Sequence, residues 1–213
     1  MDAEIAFLDK HDVSLFLDVG ANTGQTGQTL RKAGYRGRIA SFEPIGACYQ
    51  KLAAAAARDP LWQVRHTGVG ATDGRARIGV SENLVSSSIL AATDALIAIH
   101  DPVRYTRHEE IALTRLDTVF DGIAGPDDIV HLKIDTQGFE RFVIEGATGV
   151  LERIGSVRME VAVSEVYKGE IILPEAITMM SDLGYVVIDS WPAWRHPQTG
   201  EVLHFDLLLR RRT

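Results

Sequence analysis

The sequence predicts an α/β fold built on a mainly parallel β-sheet, and three features support this. Short apolar runs alternate with helix-forming segments along the chain, which is typical of βαβ units with right-handed crossovers. The first of these runs, Leu15–Val19, is apolar at nearly every position, as expected for a parallel strand covered on both faces. Two strands predicted near the C-terminus follow one another without a helix, which favours a final antiparallel hairpin.

The elements follow from local signals, taken in chain order. The first strand stops at Gly20, and Gly34 suits the end of the helix after it. Pro44 halts the second strand, a run of alanines favours the next helix, and Pro174 suits the first turn of the last helix. Strands are predicted at residues 15–19, 38–42, 62–67, 75–80, 110–114, 129–134, 157–163, 185–190 and 202–209, and helices at 23–33, 46–58, 139–151 and 174–183. Residues 81–107 lack a regular pattern and form either a lid or a surface connection.

Length and composition indicate one globular domain spanning residues 1–213. Hydrophobic residues make up 46% and charged residues 24%, which argues against a disordered chain or a coiled coil. The single cysteine, Cys48, has no partner for an internal disulfide, and the chain lacks a signal-peptide pattern and the roughly 18 apolar residues of a membrane span. We therefore expect a cytoplasmic protein. Its net charge of −7 disfavours the binding of long nucleic acid.

A glycine turn after the first strand is the first candidate site. The run Asp18-Val19-Gly20-Ala21-Asn22-Thr23-Gly24 lies between a strand and a helix, where open parallel sheets bind ligands. Asn22 stands where a dinucleotide fingerprint needs its second glycine. Asp18 would repel a pyrophosphate but suits a cationic amine or sulfonium. The turn therefore favours a nucleoside that carries an amino acid over NAD, although a tight turn without a ligand remains the alternative.

Acidic residues follow two further strands. Glu43, before Pro44, is placed to accept hydrogen bonds from two ribose hydroxyls. Asp135 ends the strand at 129–134 and faces the same edge of the sheet, where it binds a ligand, acts as a base or caps the next helix. Glu140, in the first turn of that helix, is interpreted as a helix-start residue.

Together these motifs resemble the FkbM-type S-adenosylmethionine-dependent methyltransferases. The run at 18–24, Phe42-Glu43-Pro44 and Ser86-Ser87-Ser88-Ile89-Leu90 are similar to family motifs. Leu116-Asp117 and Lys133-Ile134-Asp135-Thr136-Gln137-Gly138-Phe139-Glu140 add to the resemblance, the latter being its most specific run. Glu160, Tyr167 with Gly169, and Asp206 fall where the family has a glutamate, a tyrosine–glycine pair and a late aspartate.

The resemblance implies a Rossmann-like class I methyltransferase fold, with seven strands, an antiparallel last strand and helices on both faces. It implies S-adenosylmethionine as cofactor and methyl transfer to an oxygen of a small molecule or glycan. The implied cofactor-binding residues are Asp18, Gly20, Ala21, Asn22, Thr23, Gly24, Glu43, Pro44, Gly68, Val69, Asp135 and Gln137. Two departures stand out: the run after the third strand has no polar side chain for the adenine, and Gln137 replaces a frequent glutamate.

Methylation of an alcohol needs a group that accepts its proton. Asp135 is the first candidate and Glu160 the second, followed by His204 and Asp206. The seven histidines form no zinc-binding pattern, and we expect no metal, with magnesium at Asp135 as a weaker alternative. An N-methyltransferase and a non-catalytic cofactor-binding module are the competing interpretations.

Overall fold

The structure, a computed structural model, describes residues 2–212, with the backbone alone for residues 2 and 101. Its helices are α1 (Asp2–Lys10), α2 (Gln25–Lys32), α3 (Gly46–Ala56), α4 (Asp94–Ile99), α5 (Leu116–Val119), α6 (Glu140–Glu145) and α7 (Leu173–Asp182). Its strands are β1 (Leu15–Val19), β2 (Arg38–Phe42), β3 (Trp62–Arg65), β4 (Gly68–Val69), β5 (Gly74–Ser81), β6 (Tyr105–Thr114), β7 (Val130–Ile134), β8 (Ile154–Ala162), β9 (Tyr185–Arg195) and β10 (Val202–Arg211). Among residues 2–212, no helix combines the length and the apolar character that crossing a membrane requires.

The main sheet has the predicted organisation. Within the described residues, seven strands pair in the order β3-β2-β1-β7-β8-β10-β9. Strands β3, β2, β1, β7 and β8 are parallel, whereas β10 runs antiparallel to both of its neighbours. The predicted mainly parallel sheet with a C-terminal antiparallel hairpin is confirmed.

The central strand β1 explains why its sequence is apolar throughout. Leu15, Leu17 and Val19 pack into a core with residues of α5, α6 and α7. Phe16 points the other way, into a core with residues of α1, α2 and α3. Helices therefore cover both faces of the sheet, and every residue of β1 is buried.

A second sheet of three strands, in the order β4-β6-β5, lies beside the ends of the main strands. The strands predicted at 75–80 and 110–114 belong to it as an antiparallel pair. Residues 82–104 connect this pair through α4 and a set of turns. Ser88 pairs with Gly79, and the Tyr105 hydroxyl donates to the Leu90 carbonyl at 2.5 Å, so the connection is folded onto the sheet.

Several local predictions differ from the structure, including those for the residues before Leu15 and for the end of α6. No element is predicted before Leu15, but α1 occupies that part of the chain. The helix predicted at 139–151 ends at Glu145, so the prediction is wrong for its second half. Gly146 packs so closely on the Gly70 backbone that a Cβ at residue 146 would overlap the Gly70 carbonyl group. The chain then turns away from the helix axis, and its Gly149 N–H donates to Asp117 at 3.0 Å.

Candidate functional site

Two neighbouring cavities open at the carboxyl ends of β1, β2 and β7. The first cavity is lined by the turn after β1, by the residues after β2 and by the second sheet. The second cavity lies over β8 and the C-terminal hairpin. Val85, Asp135 and Gln137 line both cavities and form the wall between them. The sequence-predicted residues of three separate strand ends are thus brought to one place.

The turn after β1 satisfies its own backbone groups. Asn22 has a φ of +48°, a left-handed conformation that asparagine tolerates better than most residues. Each backbone N–H of the turn donates within the protein: Gly20 and Ala21 to the Phe42 carbonyl, Asn22 to Glu43, Thr23 to the Asn22 side chain and Gly24 to the Ala21 carbonyl. A pyrophosphate group needs such donors to be free. The turn therefore leaves none of these five N–H groups free for a pyrophosphate.

Gly20 is required by a close approach of two backbone segments. Its φ is +78°, and a Cβ at this residue would overlap the Asp135 carbonyl oxygen. The Asp135 N–H donates to the Val19 carbonyl at 3.1 Å, which holds the two strand ends together. Gly20 thus lets β1 and β7 meet at the first cavity, which it also lines.

Glu43 is buried at the rim of the first cavity. Its two carboxylate oxygens accept the N–H groups of Asn22 and Ile45, each at 2.8 Å. Burial raises the pKa of Glu43 to about 7, although these two hydrogen bonds favour the ionised form. Each oxygen keeps a second lone pair for a ligand hydroxyl, because a carboxylate offers about four acceptor positions.

The opposite side of the first cavity is an apolar slot. Pro44, Ile45, Ile78 and Ile111 line it, together with Leu113. Gly68 and Val69 of β4 also line the cavity, as predicted for ligand-binding residues. A Cβ at Gly68 would lie 2.8 Å from Leu113, so the glycine keeps this slot open.

A buried lysine joins the two aspartates of the site. The Lys133 ammonium group lies 3.0 Å from Asp18 and 3.5 Å from Asp135, and it donates to the Gly20 carbonyl at 3.2 Å. Asp18 is fully buried, and its carboxylate faces Lys133 and Ser41 below the first cavity. Of the two aspartates that contact Lys133, Asp135 is the one that lines the cavities, with 36% of its side chain exposed. Burial raises the pKa of Asp135, but Lys133 and Gln137 outweigh this and hold it below its usual value.

Gln137 bridges the wall between the cavities. Its amide nitrogen donates to Asp135 at 2.9 Å and to Glu160 at 3.0 Å, and its amide oxygen accepts the Tyr167 hydroxyl at 3.2 Å. Ser88, from the serine-rich segment, donates to the Gln137 carbonyl at 2.7 Å. A glutamate at residue 137 could not donate to two carboxylates, so this departure from the family pattern has a clear structural use.

Glu160 has the partner that a buried strand glutamate requires. Its second oxygen lies 2.9 Å from Nδ1 of His204, on the neighbouring strand β10. Burial and the Asp135 charge raise the pKa of Glu160 to about 6. Trp194 packs edge-on against the His204 ring, with the ring centroids 5.7 Å apart.

Other predicted residues have structural contacts. Glu140 accepts the Thr136 and Gly138 N–H groups at 2.9 and 3.2 Å, which agrees with its interpretation as a helix-start residue. Asp206 accepts a hydrogen bond from Arg158 at 2.9 Å. Tyr167 and Trp194 line the second cavity, and the Trp191 ring packs against the Arg158 guanidinium. Among the residues that the structure describes, no three His, Cys, Asp or Glu side chains are arranged to hold a metal ion.

Two features of the site were not predicted from the sequence. The first is the ion pairing of Lys133, although a lysine inside an apolar strand is a signal for a buried ion pair. The second feature is the link from Arg158 to Glu4 of α1, at 2.7 Å. No sequence signal joins these two residues, which are far apart in the chain.

Comparison with known proteins identifies the family. The model of the methyltransferase FkbM domain matches residues 18–187. A search of curated proteins finds no match. Among solved structures, a Thermobifida fusca protein assigned to the methyltransferases is 13% identical with a TM-score of 0.57, over 99% of this chain and 78% of that chain.

Two further structures have similar folds. An rRNA methylase from Streptococcus thermophilus is 9% identical with a TM-score of 0.51, over 99% of this chain and 95% of that chain. Precorrin-6y C5,15-methyltransferase from Geobacter metallireducens is 10% identical with a TM-score of 0.50, over 99% and 88% of the two chains. These likenesses confirm the predicted Rossmann-like methyltransferase fold. With its family match over residues 18–187, the chain belongs to the FkbM methyltransferase family.

Proposed function

We propose that this protein transfers the methyl group of S-adenosylmethionine to a hydroxyl oxygen of a small molecule or glycan. The observation that carries the proposal is the pair of adjoining cavities, which share Asp135 and Gln137 as a wall. One cavity suits a nucleoside and the other an acceptor, and the shared wall is where the two ligands would meet. Methyl transfer needs this contact, because the acceptor oxygen must approach the methyl carbon in line with the leaving sulfur.

The first cavity fits the nucleoside part of the cofactor. The apolar slot beside Pro44 and Ile45 suits a flat aromatic ring, and Glu43 is placed to accept the two ribose hydroxyls. Gly68 and Val69 offer backbone groups to the edge of the ring, in place of the polar side chain that is missing from this part of the sequence.

The amino-acid part of the cofactor is assigned to the turn after β1. Gly20, Ala21, Asn22 and Gln137 line this end of the cavity, whereas Thr23 and Gly24 do not, and Asp135 presents its carboxylate there. The role predicted for Asp18 becomes an indirect one in this proposal. Its charge is already paired with Lys133, so Asp18 holds the lysine while Asp135 attracts the positively charged sulfur of S-adenosylmethionine, a charge that S-adenosylhomocysteine lacks.

The cofactor supplies a methyl group bonded to a positively charged sulfur, and the protein orients its acceptor. Asp135 stays ionised because Lys133 and Gln137 lower its pKa, so it complements positive charge at the wall. Glu160 lies on the acceptor side, in the second cavity. Glu160 and His204, which lie 2.9 Å apart, form a pair that can accept a proton. Such a pair favours a hydroxyl acceptor, which must lose a proton during transfer.

Cofactor binding is tested by thermal unfolding with S-adenosylhomocysteine, using NAD as the control nucleotide. A ligand at 100 times its dissociation constant stabilises a protein by about 2.7 kcal/mol, or roughly 5–11 °C for a domain of this size. We expect this shift with S-adenosylhomocysteine and none with NAD. No shift with either ligand would refute cofactor binding.

Transfer is tested with S-adenosylmethionine labelled in its methyl group and three classes of probe: methyl glycosides, phenols and primary amines. Label in a hydroxyl probe supports the proposal, and label in the amines alone would favour N-methylation instead. We expect Asp135→Asn to retain S-adenosylhomocysteine binding and to lose transfer. A variant with unchanged transfer would exclude Asp135 from the reaction.

A further inference from the structure

A buried imidazole nitrogen beside the second cavity has no hydrogen-bond partner among the described residues. Nε2 of His204 is buried, and no described residue donates to it or accepts from it. Buried polar atoms are satisfied in the great majority of cases, so an exception of this kind calls for an explanation. His204 lines the second cavity together with Tyr167 and Trp194, which is where the proposed function places the acceptor.

The hydrogen bond on the other side of the ring fixes its tautomer. Nδ1 of His204 lies 2.9 Å from Glu160, whose carboxylate can only accept. Nδ1 therefore carries the proton, and in the neutral ring Nε2 keeps a free lone pair. The same arrangement of carboxylate and imidazole orients catalytic bases in hydrolases of unrelated folds.

The other candidate bases all have hydrogen-bond or ion-pair partners within the protein. Asp135 accepts a hydrogen bond from Gln137 and is paired with Lys133, and these partners lower its pKa. Glu160 uses one oxygen for Gln137 and the other for His204. Asp206 accepts from Arg158. Among these four groups, His204 is the one with a buried acceptor atom that has no hydrogen-bond partner in the described part of the chain.

We infer that His204 is the catalytic base of the reaction, with Glu160 as its positioning residue. The inference rests on the proposed function. As the acceptor oxygen forms its bond to the methyl carbon and the carbon–sulfur bond breaks with its electron pair on sulfur, the hydroxyl proton passes to Nε2. The ring becomes an imidazolium ion paired with Glu160. This imidazolium ion releases its proton to solvent after the product leaves.

The charges around His204 support this role. Burial lowers the pKa of His204, but Glu160 outweighs this and raises it above its ordinary value of 6.5. Glu170 and Glu140 act in the same direction as Glu160. Arg158 and Asp206 line the same cavity and form an ion pair with each other. His204 is therefore a stronger base than a free histidine, and it is neutral and active on the alkaline side of its pKa.

The tautomer is tested first, on the cofactor-free protein, by ¹⁵N NMR of the histidine rings. The His204 signals are assigned from their absence in His204→Gln. We expect a protonated Nδ1 and a bare Nε2 above the pKa, and a lower pKa in Glu160→Gln, which removes the negative partner. A ring protonated at Nε2, or a pKa unchanged in Glu160→Gln, overturns the inference without any need for an acceptor.

The second test follows transfer to the hydroxyl probes. His204→Gln should lower kcat by about 10²- to 10⁴-fold, with the dissociation constant of S-adenosylhomocysteine unchanged. The wild-type rate should fall at low pH as His204 becomes protonated. The residual rate of His204→Gln should not show this fall. His108→Gln, a change at an exposed histidine on β6, is the matched control and should retain full activity.

The two proposals fail differently. If S-adenosylhomocysteine does not bind the wild-type protein, the proposed function fails, whatever the tautomer of His204. If the ligand binds and His204→Gln keeps the wild-type kcat and pH profile, the function stands and His204 is not the base.

Discussion

Replacing Gly20 by alanine tests whether the contact between β1 and β7 shapes the site. The added Cβ would overlap the Asp135 carbonyl oxygen, and the residue would keep its φ of +78°. Left-handed backbone costs an alanine about 1–2 kcal/mol, and a steric overlap in a packed region adds about 1–3 kcal/mol. The expected loss of unfolding free energy is therefore about 2–5 kcal/mol, or roughly 4–20 °C in the unfolding midpoint.

Gly34→Ala is the matched control for this change. Gly34 has a φ of +96°, but a Cβ there would meet nothing within 4 Å. Its cost should be the backbone part alone, about 1–2 kcal/mol. Urea unfolding of both variants measures the difference, and calorimetry with S-adenosylhomocysteine should find weakened binding in Gly20→Ala only. Equal losses of stability in the two variants would refute the argument that Gly20 is required by the Asp135 backbone.

Three further predictions concern buried charges. Glu43 ionises near pH 7, so S-adenosylhomocysteine should bind about tenfold more tightly at pH 8 than at pH 6 in calorimetry, and a flat profile would contradict the ribose contact. Lys133→Met leaves Asp18 without its counter-ion and should cost about 3–5 kcal/mol in urea unfolding, part of which Asp18→Asn should restore in the double variant. Glu4→Gln should cost about 3–5 kcal/mol at pH 7, because Glu4 pairs with Arg158. Burial raises the pKa of Glu4, but its partners lower it to about 2, so this cost should vanish as the pH falls through that value.

Each of these outcomes has a clear opposite. A Lys133→Met variant as stable as the wild type would mean that Asp18 becomes protonated or hydrated at little cost. A constant stability difference between Glu4→Gln and the wild type down to pH 2 would exclude an ionised Glu4 as the source of the stabilisation.

Local signals in the sequence were sufficient for most of the fold. Strand β1 and the turn after it were predicted at their observed positions, because a buried strand is apolar throughout and because glycine marks the turn. The same signals failed for α6, whose end depends on Gly146 meeting Gly70, a residue distant in the chain. Its apolar spacing continues beyond Glu145, but the packing of another loop decides where the helix stops.

The candidate site could also be predicted only where local sequence signals were sufficient. Glu43 and Asp135 were predicted from their positions after strands, and both line the first cavity. The pairing of Glu160 with His204 depends on the register between β8 and β10, in which His204 lies opposite Ala162. Hydrophobic patterns fix which face of a strand is buried, but they do not fix which residues of two strands become neighbours. The role of Lys133 as the partner of Asp18 also depends on a register, between β1 and β7.

The limits of the family match have a practical consequence. A fragment cut to residues 18–187 would keep the motifs of the family resemblance except the late aspartate, Asp206, yet it would lack Glu4 and the whole of β10. Strand β10 lies between β8 and β9, so its removal would leave both with unpaired edges, which invite aggregation. The recognisable part of this protein is thus smaller than its folding unit, and any shortened version should keep both ends of the chain.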